Sequence, residues 1–372
     1  MDTQIGLANI GNTCFLNVVL QALRLNPAMG EIFLKNTTRD VSLRGDSKKQ
    51  ELVIAFQTLM RDFWRTAPAP NTTPALIPRG FFYALHNTLR DTEDTWYRHG
   101  QQADAAEALQ YVLNSLHEGM SRKVVMEVIG GANTQEETSQ VKAIESWGAF
   151  FAKEYSPIVQ HFNGQMQIRI VCSNCKNASE RYEPWLMMKA PIPGADTVGS
   201  TVPTMEACID AAFAEETIDD YNCEKCKSKQ KAQIFNKISR LPPVTILTLK
   251  RFTNDGKKVR GCIPWDLDMI DFEKWMAFTR DPFTDEYVNT QYKTFAVIEH
   301  HGSTRGGHYR MYARQRDDWN EYDDSSVRKV DPEHVVTADS YIAILLPKPT
   351  APSMLIENEG YIRSFREQSL TK

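Results

Sequence analysis

No stretch of this chain is long and apolar enough to cross a bilayer. The longest apolar runs, such as Tyr341 to Leu346, are strand-sized, against the ~20 residues a membrane helix needs. The start, Met1-Asp2-Thr3, lacks the basic-then-apolar pattern of an export signal, and no lipid-attachment motif is visible at either end. Charge of one sign is also in short supply. A net charge of −4 and a pI near 6.1 give no broad attraction to nucleic acid or to an anionic membrane. The expected setting is therefore cytoplasm or nucleus, with neither a membrane nor nucleic acid as partner. Cysteine is sparse and odd in number: Cys14, Cys172, Cys175, Cys208, Cys223, Cys226 and Cys262. An odd set with two Cys-x-x-Cys pairs and no export signal argues against a disulfide framework, and for metal ligation plus free thiols. What remains is ordinary for a globular protein: 42% hydrophobic and 24% charged over 372 residues, long enough for two or three domains.

From Cys14 the spacing Phe15, Leu16, Val19, Leu20, Leu23 predicts a helix that stops at Asn26-Pro27. Further helices are expected over Glu51 to Arg65, Ala103 to His117 and Met205 to Phe213. The stretches Thr66 to Pro78 and Pro193 to Pro203 read as loops, and the polar run Gly130 to Ser146 as a surface insertion or flexible loop. Strands are expected at Gln165 to Val171, Val244 to Phe252, Phe295 to His300, His308 to Arg314 and Ser340 to Leu346. Residues 348–372 open with Pro349 and Pro352 and read as a loosely ordered tail. A helical first third and a strand-rich second half predict an α+β protein.

Three groups of residues carry chemistry. In Asn9-Ile-Gly-Asn-Thr-Cys14 a cysteine sits directly before a helix. Unpaired N–H groups and the helix dipole there lower a thiol pKa from its free value of about 8.5, which suits a nucleophile. Asn9 could aim its amide at a developing oxyanion; the plain alternative for Cys14 is a small buried cysteine beside a turn. In Gly306-Gly307-His308-Tyr309 two glycines let another backbone pass close to a histidine at a strand start. His86, His99, His117 and His161 have no such setting. A hairpin would return Tyr322-Asp323-Asp324-Ser-Ser beside His308, so that Asp323 holds the imidazole tautomer; the alternative is a capped turn. The third group is Cys172-Ser-Asn-Cys175 with Cys223-Glu-Lys-Cys226, which together supply four thiolates for a closed, structural zinc site.

With these blocks in order, the chain from Leu7 to about Leu346 resembles the ubiquitin-specific protease family. Gly6 to Asn17 is similar to its cysteine box, and Gln102-Ala-Asp-Ala-Ala-Glu-Ala-Leu109 to its glutamine-aspartate-glutamate helix. Glu183-Pro-Trp-Leu, Leu249-Lys-Arg-Phe252, His300-His-Gly and Gly306 to Val327 are similar to later blocks. The resemblance implies a papain-like fold shaped as a right hand: a helical thumb (about 1–160), then an antiparallel β palm and zinc-bearing β fingers (about 161–347). It implies Cys14, His308 and Asp323 as catalytic triad, Asn9 at the oxyanion, and Asp324 as the second acidic residue that in some members supports or replaces the third triad role. Asp104 and Glu107 would meet the arginines of ubiquitin's tail, and Gly306, Gly307 and Tyr309 would border the narrow passage for its terminal glycines. Ala103, Ala108 and Tyr322 depart from the common pattern. The activity implied is hydrolysis of the isopeptide bond after ubiquitin's last glycine, with ubiquitinated proteins as substrates and room for a regulatory partner. A catalytically weak ubiquitin-binding scaffold, or a protease for another ubiquitin-like modifier, are the rival readings.

Overall fold

The computed structural model describes residues 4–35, 46–65, 75–90, 100–126, 128, 131–194, 202–253, 255–282, 286–304, 306–349 and 368–369. Its helices are α1 (Cys14–Leu25), α2 (Pro27–Gly30), α3 (Ser47–Arg65), α4 (Arg79–Leu89), α5 (Ala105–Met120), α6 (Gln135–Phe151), α7 (Pro157–Phe162) and α8 (Met205–Ala212). The short strands are β1 (Gly6–Leu7), β2 (Ala75–Leu76) and β3 (Val124–Val125). Next come β4 (Gly164–Cys172), β5 (Ala178–Trp185), β6 (Met188–Ala190), β7 (Glu216–Cys223), β8 (Ser228–Arg240), β9 (Thr245–Leu249) and β10 (Ile270–Asp271). The last are β11 (Gln291–Ser303), β12 (Gly306–Gln315), β13 (Asp318–Asp323), β14 (Ser326–Val330), β15 (Ser340–Pro347) and β16 (Gln368–Ser369). Among the described residues no helix is long and apolar enough to cross a membrane.

Helix α1 is the axle of the molecule. Its apolar residues Phe15, Leu16, Val19, Leu20 and Leu23 are all buried, each burial contributing about 1.5–3 kcal/mol. The sequence suggests one apolar face, yet the polar positions are buried as well. Gln21 Nε2 donates to the Ile5 carbonyl at 2.9 Å, Arg24 Nε donates to Gln21 Oε1 at 2.6 Å, and the Arg24 guanidinium lies 4.3 Å from the Phe63 ring. These partners let polar side chains sit inside at little cost. One side of α1 packs on α5, the other on β12.

The larger sheet runs β14-β13-β12-β11-β15-β9-β6, antiparallel except for the final β6–β9 pair, with β10 added on β11. The second sheet, β5-β4-β8-β7, is antiparallel and carries the four paired cysteines at its tip. The α+β organisation read from the sequence is thus the one observed.

Residues 130–146 differ from expectation. They hold most of α6, which starts with a capping box: Thr134 Oγ1 accepts from the Glu137 N–H at 3.1 Å, and the Glu137 carboxylate accepts from the Thr134 N–H at 3.3 Å. The helix packs on β5, with Ala143 in one cluster with Tyr182, and the Ala143 carbonyl accepts from Gln165 Nε2 of β4 at 2.9 Å. Side-chain bonds from Ser139 to Glu180 (2.8 Å) and from Ser146 to the Tyr182 carbonyl (2.8 Å) complete the contact. Of the expected loops, residues 66–74 and 195–201 lie outside the described residues, as do His99 and most of the tail. Within the tail, Gln368–Ser369 pair with Val124–Val125.

Candidate active site

Cys14 opens α1 and is 2% exposed. The turn before it is built by Asn9, whose Oδ1 accepts from the Gly11 N–H (3.1 Å) and the Thr13 N–H (3.2 Å). Gly11 and Asn12 take the left-handed region at φ 118° and 56°, which glycine and asparagine tolerate best. Thr13 makes no side-chain cap, so the first amides of α1 stay open to the thiol. The backbone N–H groups of Tyr309, Phe15 and Cys14 pull the thiol towards thiolate. Even so, burial first, and then the charge of Asp324, raise the thiol above the ordinary 9.0. The expectation of a lowered pKa is corrected here: the helix-end effect is present but loses to desolvation. Alkylation of Cys14 by a small electrophile, followed by mass spectrometry of its peptide, is expected to keep accelerating above pH 9.0. A plateau below pH 8 would show a preformed thiolate instead.

His308 enters β12, the strand that packs on α1. The β12–β13 hairpin pairs Met311 with Tyr322 and so returns Asp323 to the histidine. His308 Nε2 meets Asp323 Oδ1 at 2.6 Å, which leaves Nδ1 as the nitrogen free to exchange a proton. The neighbouring acid has other duties. Asp324, at φ 48°, accepts from Asn9 Nδ2 (2.9 Å) and Asn17 Nδ2 (2.7 Å), while its carbonyl accepts from the Leu7 N–H (2.8 Å). It clamps the turn before Cys14 onto the β13–β14 turn. A Cβ on Gly6 would come within 2.3 Å of the Ser325 carbonyl oxygen, so only glycine fits that approach.

Beside this centre lies a cleft of about 530 Å³ lined by Gln102, Asp104, Glu107, Lys189, Tyr309 and Tyr341, among others. Asp104 caps α5, its Oδ1 accepting from the Ala106 (2.8 Å) and Glu107 (3.0 Å) N–H groups. Its Oδ2 accepts from the hydroxyls of Tyr309 (3.3 Å) and Tyr341 (3.0 Å). Both oxygens are therefore committed within the chain. The Glu107 carboxyl is pushed up by burial and by Asp104, and eased down by Lys189. Gly307 is bound through both backbone groups by Gln102, which opens the glutamine-aspartate-glutamate block but has no site role assigned from the sequence.

At the tip of the second sheet the cysteine pairs form two matched turns. The Lys176 N–H bonds the Cys172 carbonyl (3.0 Å), the Lys227 N–H bonds the Cys223 carbonyl (2.8 Å), and both lysines adopt positive φ. Sulfur separations of 3.9 Å (Cys172–Cys226) and 3.5 Å (Cys175–Cys223) bracket the roughly 3.8 Å that four ligands at ~2.3 Å from one tetrahedral ion require. The four sulfurs can hold a metal ion.

The family model for ubiquitin carboxyl-terminal hydrolase matches residues 5–345. The chain is 29% identical over 345 residues to ubiquitin carboxyl-terminal hydrolase Usp2 of Drosophila melanogaster, covering 91% of this chain and 34% of that protein. It is 26% identical over 356 residues to ubiquitin carboxyl-terminal hydrolase 21 of Homo sapiens, covering 91% and 60%. It therefore spans between a third and three-fifths of these relatives. Among solved structures, the Ubp8 chain of a SAGA deubiquitinating module bound to monoubiquitin shares the fold. The TM-score is 0.69 at 22% identity, over 94% of this chain and 71% of that one.

Proposed function

The chain belongs to the ubiquitin carboxyl-terminal hydrolase family, and from that premise we propose that it is a deubiquitinating thiol hydrolase. We assign the helical block to the thumb, the larger sheet to the palm and the cysteine-tipped sheet to the fingers. One observation carries the reading. Cys14 opens α1, the helix that packs on β12, and His308 enters β12 with its Nε2 held by Asp323 at 2.6 Å. Nucleophile and base thus stand on two elements packed against each other, and the base has its orienting acid.

In the resting site the raised thiol is protonated. His308 Nδ1 takes its proton as the sulfur attacks the carbonyl carbon of ubiquitin's last glycine. The α1 amides and the second N–H of Asn9, the first being held by Asp324, stabilise the oxyanion. His308 then gives the proton to the leaving lysine amine, and later takes one from the water that releases the acyl group. Glu107 receives a tail arginine, while Asp104 supports the groove from within through Tyr309 and Tyr341. The donor set fits zinc: Cys172, Cys175, Cys223 and Cys226 would hold the ion, which would supply a structural cross-link at the tip of the fingers.

The test is labelling with ubiquitin bearing a thiol-reactive C-terminal group, beside Cys14→Ala and a panel of ubiquitin-like probes. Adduct formation with ubiquitin that disappears in Cys14→Ala is the expected result. An adduct only with another modifier would reassign the substrate, and no adduct from folded, metal-loaded protein would favour a non-catalytic scaffold.

A further inference from the structure

In a strand the N–H and C=O of one residue point to the same side, and those of the next residue to the other. On β12, Gly307 and Tyr309 therefore share an edge, while His308 pairs inward with His301 of β11. The neighbouring strand β13 covers that edge only from Met311 onward. On that edge Gly307 and Tyr309 have no strand partner among the described residues. At Tyr309 the backbone N–H acts on the Cys14 thiol and lowers its pKa. At Gly307 both groups are taken by one side chain: Gln102 Oε1 accepts from the Gly307 N–H at 2.9 Å, and Gln102 Nε2 donates to the Gly307 carbonyl at 2.8 Å. A side-chain amide has the same donor and acceptor spacing as a peptide unit, so Gln102 replaces a strand partner at this single position.

The fit is close. Gly306 lies at φ 152°, and a Cβ there would come within 2.8 Å of Gln102 Oε1. Two residues before Gln102, the Gly100 carbonyl accepts from Asn12 Nδ2 at 2.8 Å, and Asn12 belongs to the turn that leads into Cys14. Residues 100–102 thus tie the turn of the nucleophile to the strand of the base.

We propose that Gln102 is a positioning residue for the reaction assigned above, fixing the entry of β12 and with it the placement of His308 against Cys14. The inference rests on the deubiquitinase reading for its kinetic test. A second readout, alkylation of Cys14 by iodoacetamide as a function of pH, needs no substrate.

Wild-type protein, Gln102→Ala and Gln102→Glu are compared by hydrolysis of ubiquitin carrying a C-terminal fluorogenic amide. Gln102→Ala is expected to lower kcat on the order of tenfold or more, with KM within about twofold. At neutral pH it is expected to slow Cys14 alkylation roughly fivefold, because the base no longer meets the thiol. Gln102→Glu keeps an acceptor for the Gly307 N–H but offers no donor to the Gly307 carbonyl, so its kcat falls between the two. Melting curves check that both variants fold. A rise in KM at unchanged kcat would place Gln102 on the substrate instead and overturn the proposal. So would a faster variant, which would make the contact a bar across the passage, or an unaltered alkylation profile. If wild-type protein turns over no ubiquitin substrate, the deubiquitinase reading falls, while the alkylation comparison still decides on Gln102.

Discussion

Asp323→Ala is expected to cut kcat on the order of a thousandfold, and Asp323→Asn by much less. The adjacent Asp324→Asn should leave most of kcat but move the pH dependence of Cys14. The geometry separates the two acids. Asp323 alone meets the His308 ring, at 2.6 Å from Nε2, and without an acceptor there the imidazole loses both its tautomer and its orientation. Asparagine still offers an oxygen to that N–H, and Cys-His-Asn sites work with a neutral third member. Asp324 instead binds Asn9 and Asn17, and its charge is the second cause, after burial, of the raised Cys14 pKa. Removing that charge lowers the thiol pKa, so alkylation of Asp324→Asn should reach a given rate at lower pH than wild type. Steady-state kinetics with the same alkylation assay reads both effects. If Asp324→Ala proves as damaging to kcat as Asp323→Ala, with the fold intact, the orienting role belongs to the pair rather than to Asp323.

Which of these features the sequence reveals follows from how local each one is. The strands β11, β12 and β15 are legible because they lie in the centre of a sheet and are rich in β-branched and aromatic residues; Ala296, Val297, Ile298 and Ile342 are buried. The cysteine pairs are legible because a turn that offers two sulfurs to one ion needs that spacing. By contrast, α6 buries few apolar residues and relies on Ser139 and Ser146 bonding to the sheet, so its hydrophobic period is weak. Its capping box, Thr134 to Glu137, is the local signal that could have marked it. The thiol pKa is illegible for a different reason. The helix end is written in residues 9–16, but the opposing burial and the Asp324 carboxylate come from chain some 300 residues away. Asp104 shows the same limit: its own spacing reads as a solvated helix face, the resemblance alone implies a substrate-facing role beside Glu107, and neither reveals that the Tyr309 and Tyr341 hydroxyls donate to its second oxygen.

Chelating the zinc proposed for the cysteine site is expected to melt the tip of the second sheet and abolish turnover, while the helical block and the larger sheet keep their cores. The strands β7 and β8 have little of their own to hold them there. Their exposed residues are polar or charged, and Lys229–Asp220 and Lys231–Asp219 pair at 3.6 Å in water, where such bridges contribute about 0–1 kcal/mol each. The apolar clusters that unite α1, α3 and α5 with β11, β12 and β15 lie elsewhere. A structural zinc ion contributes on the order of 10 kcal/mol to small cysteine-bound domains, far more than those ion pairs. Because the ligands must be thiolates, the stabilisation fades as pH falls and protons displace the ion. Hydrogen exchange on chelated protein should show residues 216–234 losing protection while Phe15 to Leu23 keep theirs. Protection unchanged at both places, with full activity, would mean that the four cysteines need no ion to hold the fingers. Protection lost at both would mean that the fingers and the catalytic core fold as one unit, with the ion stabilising the whole.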